Sequence, residues 1–441
     1  MQNRGRCSAV ILRATCGAAT FAIAFVIGVI GVRPTQAQTY NVLYYFTGQA
    51  DGEYPGGLVL GKNGTLYGNA GGGNANCAYL VTCGEIFELD KAGNESVLYA
   101  FAGGNDGAGP SGSLIVDHLG NLYGTTFYGG DGPCMVETTV VGCGTIFRLT
   151  PPATKGGGWA EAILYSFQGP DGATPYAGLA MDDAGTLYGT TYFGGTGSCV
   201  HEGGQMGCGT VFRLDGAGQE TVLYSFTAGA DGGFPMGGLV LDAAGNLYGT
   251  TNEGGDLPDC GNVGCGTVFK VSGAAQENVL YSFTGLNGDG EQPESVTLVR
   301  DPAGNLYGTT SAGGINNGGD GYGTVFKVNP EGKETILYSF EGFLDGGYPY
   351  AGLARDPEGN LYGTTSDFGE YKYYGTLFKI TTKGNFDLLY SFDQISGSGG
   401  AQPLMDQTAA NRESIYGAAA SGGNYEYCGG AGCGTIFKFT P

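Results

Sequence analysis

The sequence predicts an all-β protein: a seven-bladed β-propeller of four-stranded blades, closed by pairing of an N-terminal strand into the last blade. Three observations predict it. Three short motifs each recur seven times along the chain. Each repeat holds four strand-like segments, the content of one propeller blade. The repeats are also permuted across the two ends, an arrangement that leaves no sheet edge open.

The first 37 of the 441 residues stand apart from the repeats. Arg4, Arg6 and Arg13 precede an apolar run of 15 residues, Ala18 to Val32, and Thr35-Gln36-Ala37 offers a small-residue cleavage site. That is the layout of a secretory signal peptide. A membrane anchor is the rival reading, but the run is shorter than the ~20 residues a spanning helix needs. No later stretch approaches that length, so no membrane span is expected after cleavage. Residues 38–441 are expected to form a single domain, secreted, extracellular or held in the cell envelope, and monomeric.

Within that domain, Leu-Tyr-Gly recurs at Tyr67, Tyr123, Tyr188, Tyr248, Tyr307 and Tyr362, with Ile415-Tyr416-Gly417 as the seventh copy. Leu-Tyr-x-Phe ends at Phe46, Phe101, Phe167, Phe226, Phe283, Phe340 and Phe392. Gly-[Thr/Glu]-[Ile/Leu/Val]-Phe ends at Phe87, Phe147, Phe212, Phe269, Phe326, Phe378 and Phe437. Tyr, Phe, Val, Ile and Thr between glycines read as short strands. In the unit Gly237 to Phe283, GGLVLD is strand a, NLYGTT strand b, GTVFKV strand c and NVLYSF strand d. The a–b link through Gly245 is a tight hairpin. The mature chain opens on a d strand, Asn41 to Phe46, and closes on a c strand, Gly434 to Phe437. Pairing these two closes the ring.

Composition bounds the function. Glycine supplies 89 residues, without the Gly-X-Y period of collagen. Aromatics at 12% support a packed core. With 41 acidic against 19 basic residues the net charge is −22, which argues against nucleic-acid and anionic-membrane partners. His118 and His201 are the two histidines, and no G-x-S-x-G elbow occurs, so His-dependent and nucleophilic catalysis lack candidates.

The pattern LYSF…DGxxP…GLVLDxxGNLYGTT…GTVFKV resembles the choice-of-anchor tandem repeat, or GloVer-type, proteins of bacteria, over essentially all of residues 40–441. The resemblance implies an exported, surface-associated repeat protein with no established activity.

Ten cysteines lie beyond residue 37, in local pairs: Cys77/Cys83, Cys134/Cys143, Cys199/Cys208, Cys260/Cys265 and Cys428/Cys433. Each pair falls in a b–c loop, and its second member precedes the glycine that opens strand c. Disulfides there fit an oxidising compartment and are expected to act as loop staples rather than as a source of fold stability. Zinc is the competing reading, disfavoured by the spacings and the scarcity of histidine.

Six d–a loops carry Asp-Gly-x-x-Pro, at Asp51, Asp106, Asp171, Asp231, Asp289 and Asp345. One reading is a carboxylate ring at the channel mouth that binds a cation, calcium being the candidate, or a polyol. The other is structural, an Asx turn with proline setting the approach to strand a. Loop aromatics such as Tyr128, Tyr192 and Phe193 are candidates for stacking on glycans. The reading that results is a noncatalytic binding propeller for a surface glycan or protein. The alternative is an extracellular carbohydrate-active hydrolase or lyase that uses loop-face carboxylates as acid and base.

Overall fold

A computed structural model describes residues 38–441 apart from loop segments 74–76, 78–82, 137–138, 155, 200–206, 256–259, 295–296, 316–320, 372, 398–403, 406–413, 424–427 and 429–431. The predicted signal segment, residues 1–37, lies outside the described residues, as do His201 and Tyr425. No helix among the described residues is long and apolar enough to cross a membrane.

Seven four-stranded antiparallel sheets form a seven-bladed propeller. Six blades take their strands in chain order, a to d from the inside outward. Blade 4, for example, comprises Val240–Leu241, Leu247–Thr251, Thr267–Val271 and Glu277–Ser282. Blade 7 takes strands a to c from Leu404–Met405, Ile415–Ala419 and Thr435–Thr440. Its d strand is Thr39–Tyr45, antiparallel to the last strand in the register Thr39↔Thr440 to Tyr45↔Thr435. The ring therefore closes through the chain's first described strand.

Every d strand has a one-residue bulge at the Leu of Leu-Tyr-x-Phe. In blade 4, Val279 pairs with Phe269 and Tyr281 with Val268, leaving Leu280 unpaired. The closing strand shows the same irregularity between Val42 and Tyr44. The bulge turns the Tyr and Phe toward the next blade. There the d-strand Phe meets the c-strand Phe at 5.0–5.3 Å, edge-on at six junctions from Phe46–Phe87 onward and tilted at the seventh, Phe392–Phe437. All fourteen rings are fully buried. The core is thus a circle of seven blade junctions. Leu-Tyr-Gly contributes its glycine to this packing: a Cβ on Gly249 would lie 2.7 Å from the Phe269 ring.

Nearer the axis, threonines replace apolar residues. In blades 2 to 6 the last Thr of strand b and the first of strand c share a buried hydrogen bond, as in Thr251–Thr267 at 2.8 Å. The preceding Thr reaches the adjacent blade: the Thr125 and Thr309 hydroxyls donate to the carbonyls of Ala177 and Ala351.

In six of the seven blades strand a is shorter than its motif. GGLVLD yields two paired residues in blade 4, because its glycines sit where neighbouring blades crowd the axis. A Cβ on Gly238 would lie 2.6 Å from Thr297 of the next blade. At the opposite end of strand a, Asp242 closes the a–b turn. It accepts from the Ala244 and Asn246 N–H groups and from the Tyr248 hydroxyl. Burial pushes its carboxyl up, but these bonds and the Asn246 amide outweigh that and hold it down at about 2.

Candidate ligand-binding site

The d–a and b–c loops share one face, and the Asp-Gly-x-x-Pro turns shape it. Each of the six aspartates accepts from the Tyr of the preceding d strand, as in Tyr44–Asp51 at 2.9 Å, Tyr99–Asp106 at 2.6 Å and Tyr224–Asp231 at 3.0 Å. Tyr165, Tyr281 and Tyr338 bind Asp171, Asp289 and Asp345 in the same way. A backbone N–H just after each d strand adds a second bond, from Thr47, Ala102, Gln168, Thr227, Thr284 and Glu341. The six carboxylates therefore stand one at each of six blade junctions, their oxygens engaged by donors, and do not converge.

All five cysteine pairs, Cys77–Cys83, Cys134–Cys143, Cys199–Cys208, Cys260–Cys265 and Cys428–Cys433, are disulfides. The pairs lie in the b–c loops as expected, and the second cysteine of each is also buried. Cys83 is fully buried in the core between blades 1 and 2, in one cluster with Ile86, Phe101 and Phe147, while its partner Cys77 is only half-buried against that cluster. Cys143, Cys208, Cys265 and Cys433 are fully buried in the same way, each with a half-buried partner. The reason is position: the second cysteine stands just before strand c, the strand whose Phe fills the junction, so the chain has already entered the core there. Each bridge thus ties its loop to a blade junction.

The disulfides also anchor the turns. The carbonyl of the second cysteine accepts from the residue before proline in the next turn: Cys83 from Gly109, Cys143 from Thr174, Cys208 from Phe234, Cys265 from Gln292 and Cys433 from Tyr54. The four non-glycine donors hold left-handed backbones, with φ of 57°, 55°, 55° and 51° in that order. Tyr322 plays the cysteine's part in blade 5, accepting from Tyr348.

Held this way, residues flanking the proline in four of the turns, Tyr54, Gly56, Tyr176, Met236 and Tyr350, line a cavity of about 290 Å³ to which all seven blades contribute. Its large side chains are Tyr54, Tyr176, Met236 and Tyr350. Ser113 and Thr297 add hydroxyls, and glycines and alanines of the inner strands fill the remainder.

Two aromatic arms support the tyrosines. On one side Phe127 meets Tyr176 at 5.5 Å, and Tyr192, Phe193 and Phe234 cluster beside it. On the other, Tyr322, Phe368 and Tyr348 lead to Tyr350, stacked on Tyr348 at 6.4 Å. Of the aromatics read from sequence, Tyr192 and Phe193 belong to the first arm, while Tyr128 packs against Phe127 and the core between blades 1 and 2. Glu294 follows Pro293 at the position occupied by Tyr176, Met236 and Tyr350 in their turns. Burial pushes its carboxyl up, and its charge acts on Tyr192 of one arm and Tyr350 of the other.

Tyr54, Tyr176, Met236, Glu294 and Tyr350 are absent from the candidates drawn from sequence. A readable signal existed: aligning the turns on their prolines shows that the next position varies while its flanks repeat.

Three overlapping stretches, residues 17–201, 134–320 and 198–437, match the Gloeobacter/Verrucomicrobia repeat. The chain belongs to that repeat family. No curated protein matches it by sequence. Among solved structures, a catalytically inactive virginiamycin B lyase from Staphylococcus aureus with quinupristin is similar at TM-score 0.55 and 13% identity, covering 92% of this chain and 99% of that one. A luciferin-regenerating enzyme aligns at TM-score 0.42 and 11% identity over 92% and 95%. A gluconolactonase from Xanthomonas campestris aligns at 0.40 and 14% over 74% and 86%. At these identities the lyase likeness concerns the fold alone.

Proposed function

We propose that this repeat-family propeller is an exported, noncatalytic binding protein that holds a saccharide ring in the cavity at its channel mouth. One observation carries the reading. The lining presents three tyrosines, two hydroxyls and small residues, and among the described lining residues there is no carboxylate, histidine, cysteine or lysine. Aromatic faces with a few hydroxyls suit a polyhydroxylated ring. Export is supported by the five disulfides and by the N-terminal layout. The hydrolase or lyase alternative requires two carboxyl groups flanking one bond, about 5 to 9.5 Å apart. The loop-face aspartates are instead distributed over separate junctions and occupied by donors.

The test is a glycan array with wild-type protein and a Tyr176→Ala/Tyr350→Ala variant, followed by chromatography of any bound glycan. The expected result is binding that the double variant loses, with the glycan recovered intact. Cleaved product, or binding indifferent to both tyrosines, overturns the reading.

A further inference from the structure

We infer that the ligand is an oligosaccharide chain rather than a single sugar, with one ring in the cavity and its neighbours stacked on a second, exposed aromatic site on the loops of blade 6. This rests on the saccharide-binding reading above and adds the ligand's length and its direction of exit.

The two arms that leave the cavity end differently. In the first, Phe127, Tyr176, Tyr192 and Phe193 are half-buried and Phe234 is buried, so their faces are spent largely on one another. The second starts at Tyr350, 40% exposed in the cavity wall, and runs outward through Tyr348 and Phe368, which meet at 6.0 Å. Its two loops then carry Phe343, Tyr371 and Tyr373, exposed by 72%, 53% and 76%. The backbone lays these loops side by side. Gly347 and Asp367 exchange N–H to carbonyl bonds at 3.0 and 3.3 Å, and the Gly369 N–H donates to the Phe343 carbonyl at 2.8 Å. The Glu370 N–H reaches Ser391 Oγ, on the outermost strand of blade 6. The path thus crosses the blade from inner strand to outer, roughly 14 Å at three strand spacings, more than one pyranose ring can cover.

The fold does not require these exposed rings. The two residues before the turn aspartate are Phe343-Leu344 here, against Gly104-Asn105, Gly229-Ala230 and Asn287-Gly288 in other turns. Those turns make the same Tyr–Asp bond without a bulky tip. Tyr373 holds a left-handed φ of 75°, a strained backbone for a bulky residue, and its ring stands three-quarters in solvent, where packing does little to offset the cost. Large rings kept at exposed, repeat-breaking and strained positions mark a contact surface. The occupant is a sugar chain because these rings continue a path that begins in the saccharide cavity, and because Tyr371 and Tyr373 carry hydroxyls beside their stacking faces. A row of separate ring faces suits a polymer that presents one apolar face per unit.

The experiment is a glycan array carrying chains of one, two, four and six units of glucose, xylose, mannose and N-acetylglucosamine, with calorimetry on the dimer and hexamer of each sugar that binds. The expected result is a hexamer at least tenfold tighter than its dimer, about 1.4 kcal/mol. Phe343→Ala/Tyr373→Ala should bring the hexamer to the dimer's affinity and leave the dimer's affinity and the Tm unchanged, since both side chains stand in solvent. Equal affinity of dimer and hexamer, or a length preference that survives the double variant, overturns this inference and leaves the cavity reading standing. Failure of every series to bind removes both. A wild-type dimer in sedimentation that the double variant dissociates, with no preference for chain length, assigns the rings to a second copy of the chain instead.

Discussion

Glu85 is the residue that departs furthest from its repeat. It opens strand c of blade 1, where the other six blades have threonine, and strand b offers Ala70 in place of the partner threonine. In blades 3 and 6 the c-strand hydroxyl donates to the carbonyl of the Asp-Gly turn. Glu85 is 1% exposed, and its Oε1 is buried without a partner. Burial, with the charges of Glu95 and Asp51, pushes its carboxyl up to about 8. A protonated carboxyl restores the donor that threonine supplies elsewhere, so Glu85 is a neutral acid at pH 7. Burial and a turn aspartate also raise Glu95, Glu161, Glu220, Glu277 and Glu334 to about 7. Carboxyls raised in the folded state stabilise fully below the unfolded value near 4.5, and that contribution is lost as pH rises through 7 and 8. Thermal melts should therefore give a higher Tm at pH 5.5 than at pH 9. Glu85→Gln should shrink the difference, and an undiminished slope in that variant would show that Glu85 does not carry the proton.

At the scale of elements, the repeated unit is the blade junction rather than the blade. Each junction combines a d-strand Phe, the next c-strand Phe and, at six of the seven, a Tyr–Asp bond above them. Phe269→Ala should cost about 3 to 5 kcal/mol in chemical denaturation, by lost burial and the cavity left behind. Tyr224→Phe should cost about 1.5 kcal/mol, the worth of a bond to a charged acceptor. Because the turn aspartates already accept two or more donors each, calcium and chelator should leave Tm unchanged; a calcium-dependent rise would give those carboxylates a second role. The disulfides span five to nine residues, so reduction should lower Tm while the β circular-dichroism spectrum persists. Strands b, c and d were legible in the sequence because Leu-Tyr-Gly and Leu-Tyr-x-Phe have the alternation that strands require. The pairing of Cys77 with Cys83 was legible from spacing, but the burial of Cys83 was not, because it depends on the next blade closing over it. The bulge at Leu280 was hidden too, since it arises from pairing geometry that Leu itself does not signal. So was the bond of Asp231 to Tyr224, which joins a turn to the strand before it. The cavity was least legible. Tyr54, Tyr176, Met236 and Tyr350 come from separate turns, and only the ring brings them together.

The whole molecule depends on one non-local pairing. Thr39–Tyr45 joins Thr435–Thr440 across nearly the full length of the chain, with the bulge that every other d strand carries. It delivers three things that no internal blade could supply for blade 7: the Phe46 ring on Phe87, the Tyr44 hydroxyl on Asp51, and the Tyr40 hydroxyl on the Ser396 carbonyl. Removing residues 38–46 would strip the c strand of blade 7 of its outer partner and leave Phe87 without its facing ring, exposing a sheet edge and apolar surface together. The truncated protein should elute as aggregates and lose its cooperative melt. Returning Thr39–Phe46 after Pro441, through a short c–d-type turn, should restore both, because the other blades join strands c and d by such a turn. If the permuted chain folds and still binds saccharide, closure requires the strand and not its place in the sequence. If truncation alone leaves a soluble monomer with an unchanged melt, the ring is held by the other six junctions and the closing strand is dispensable.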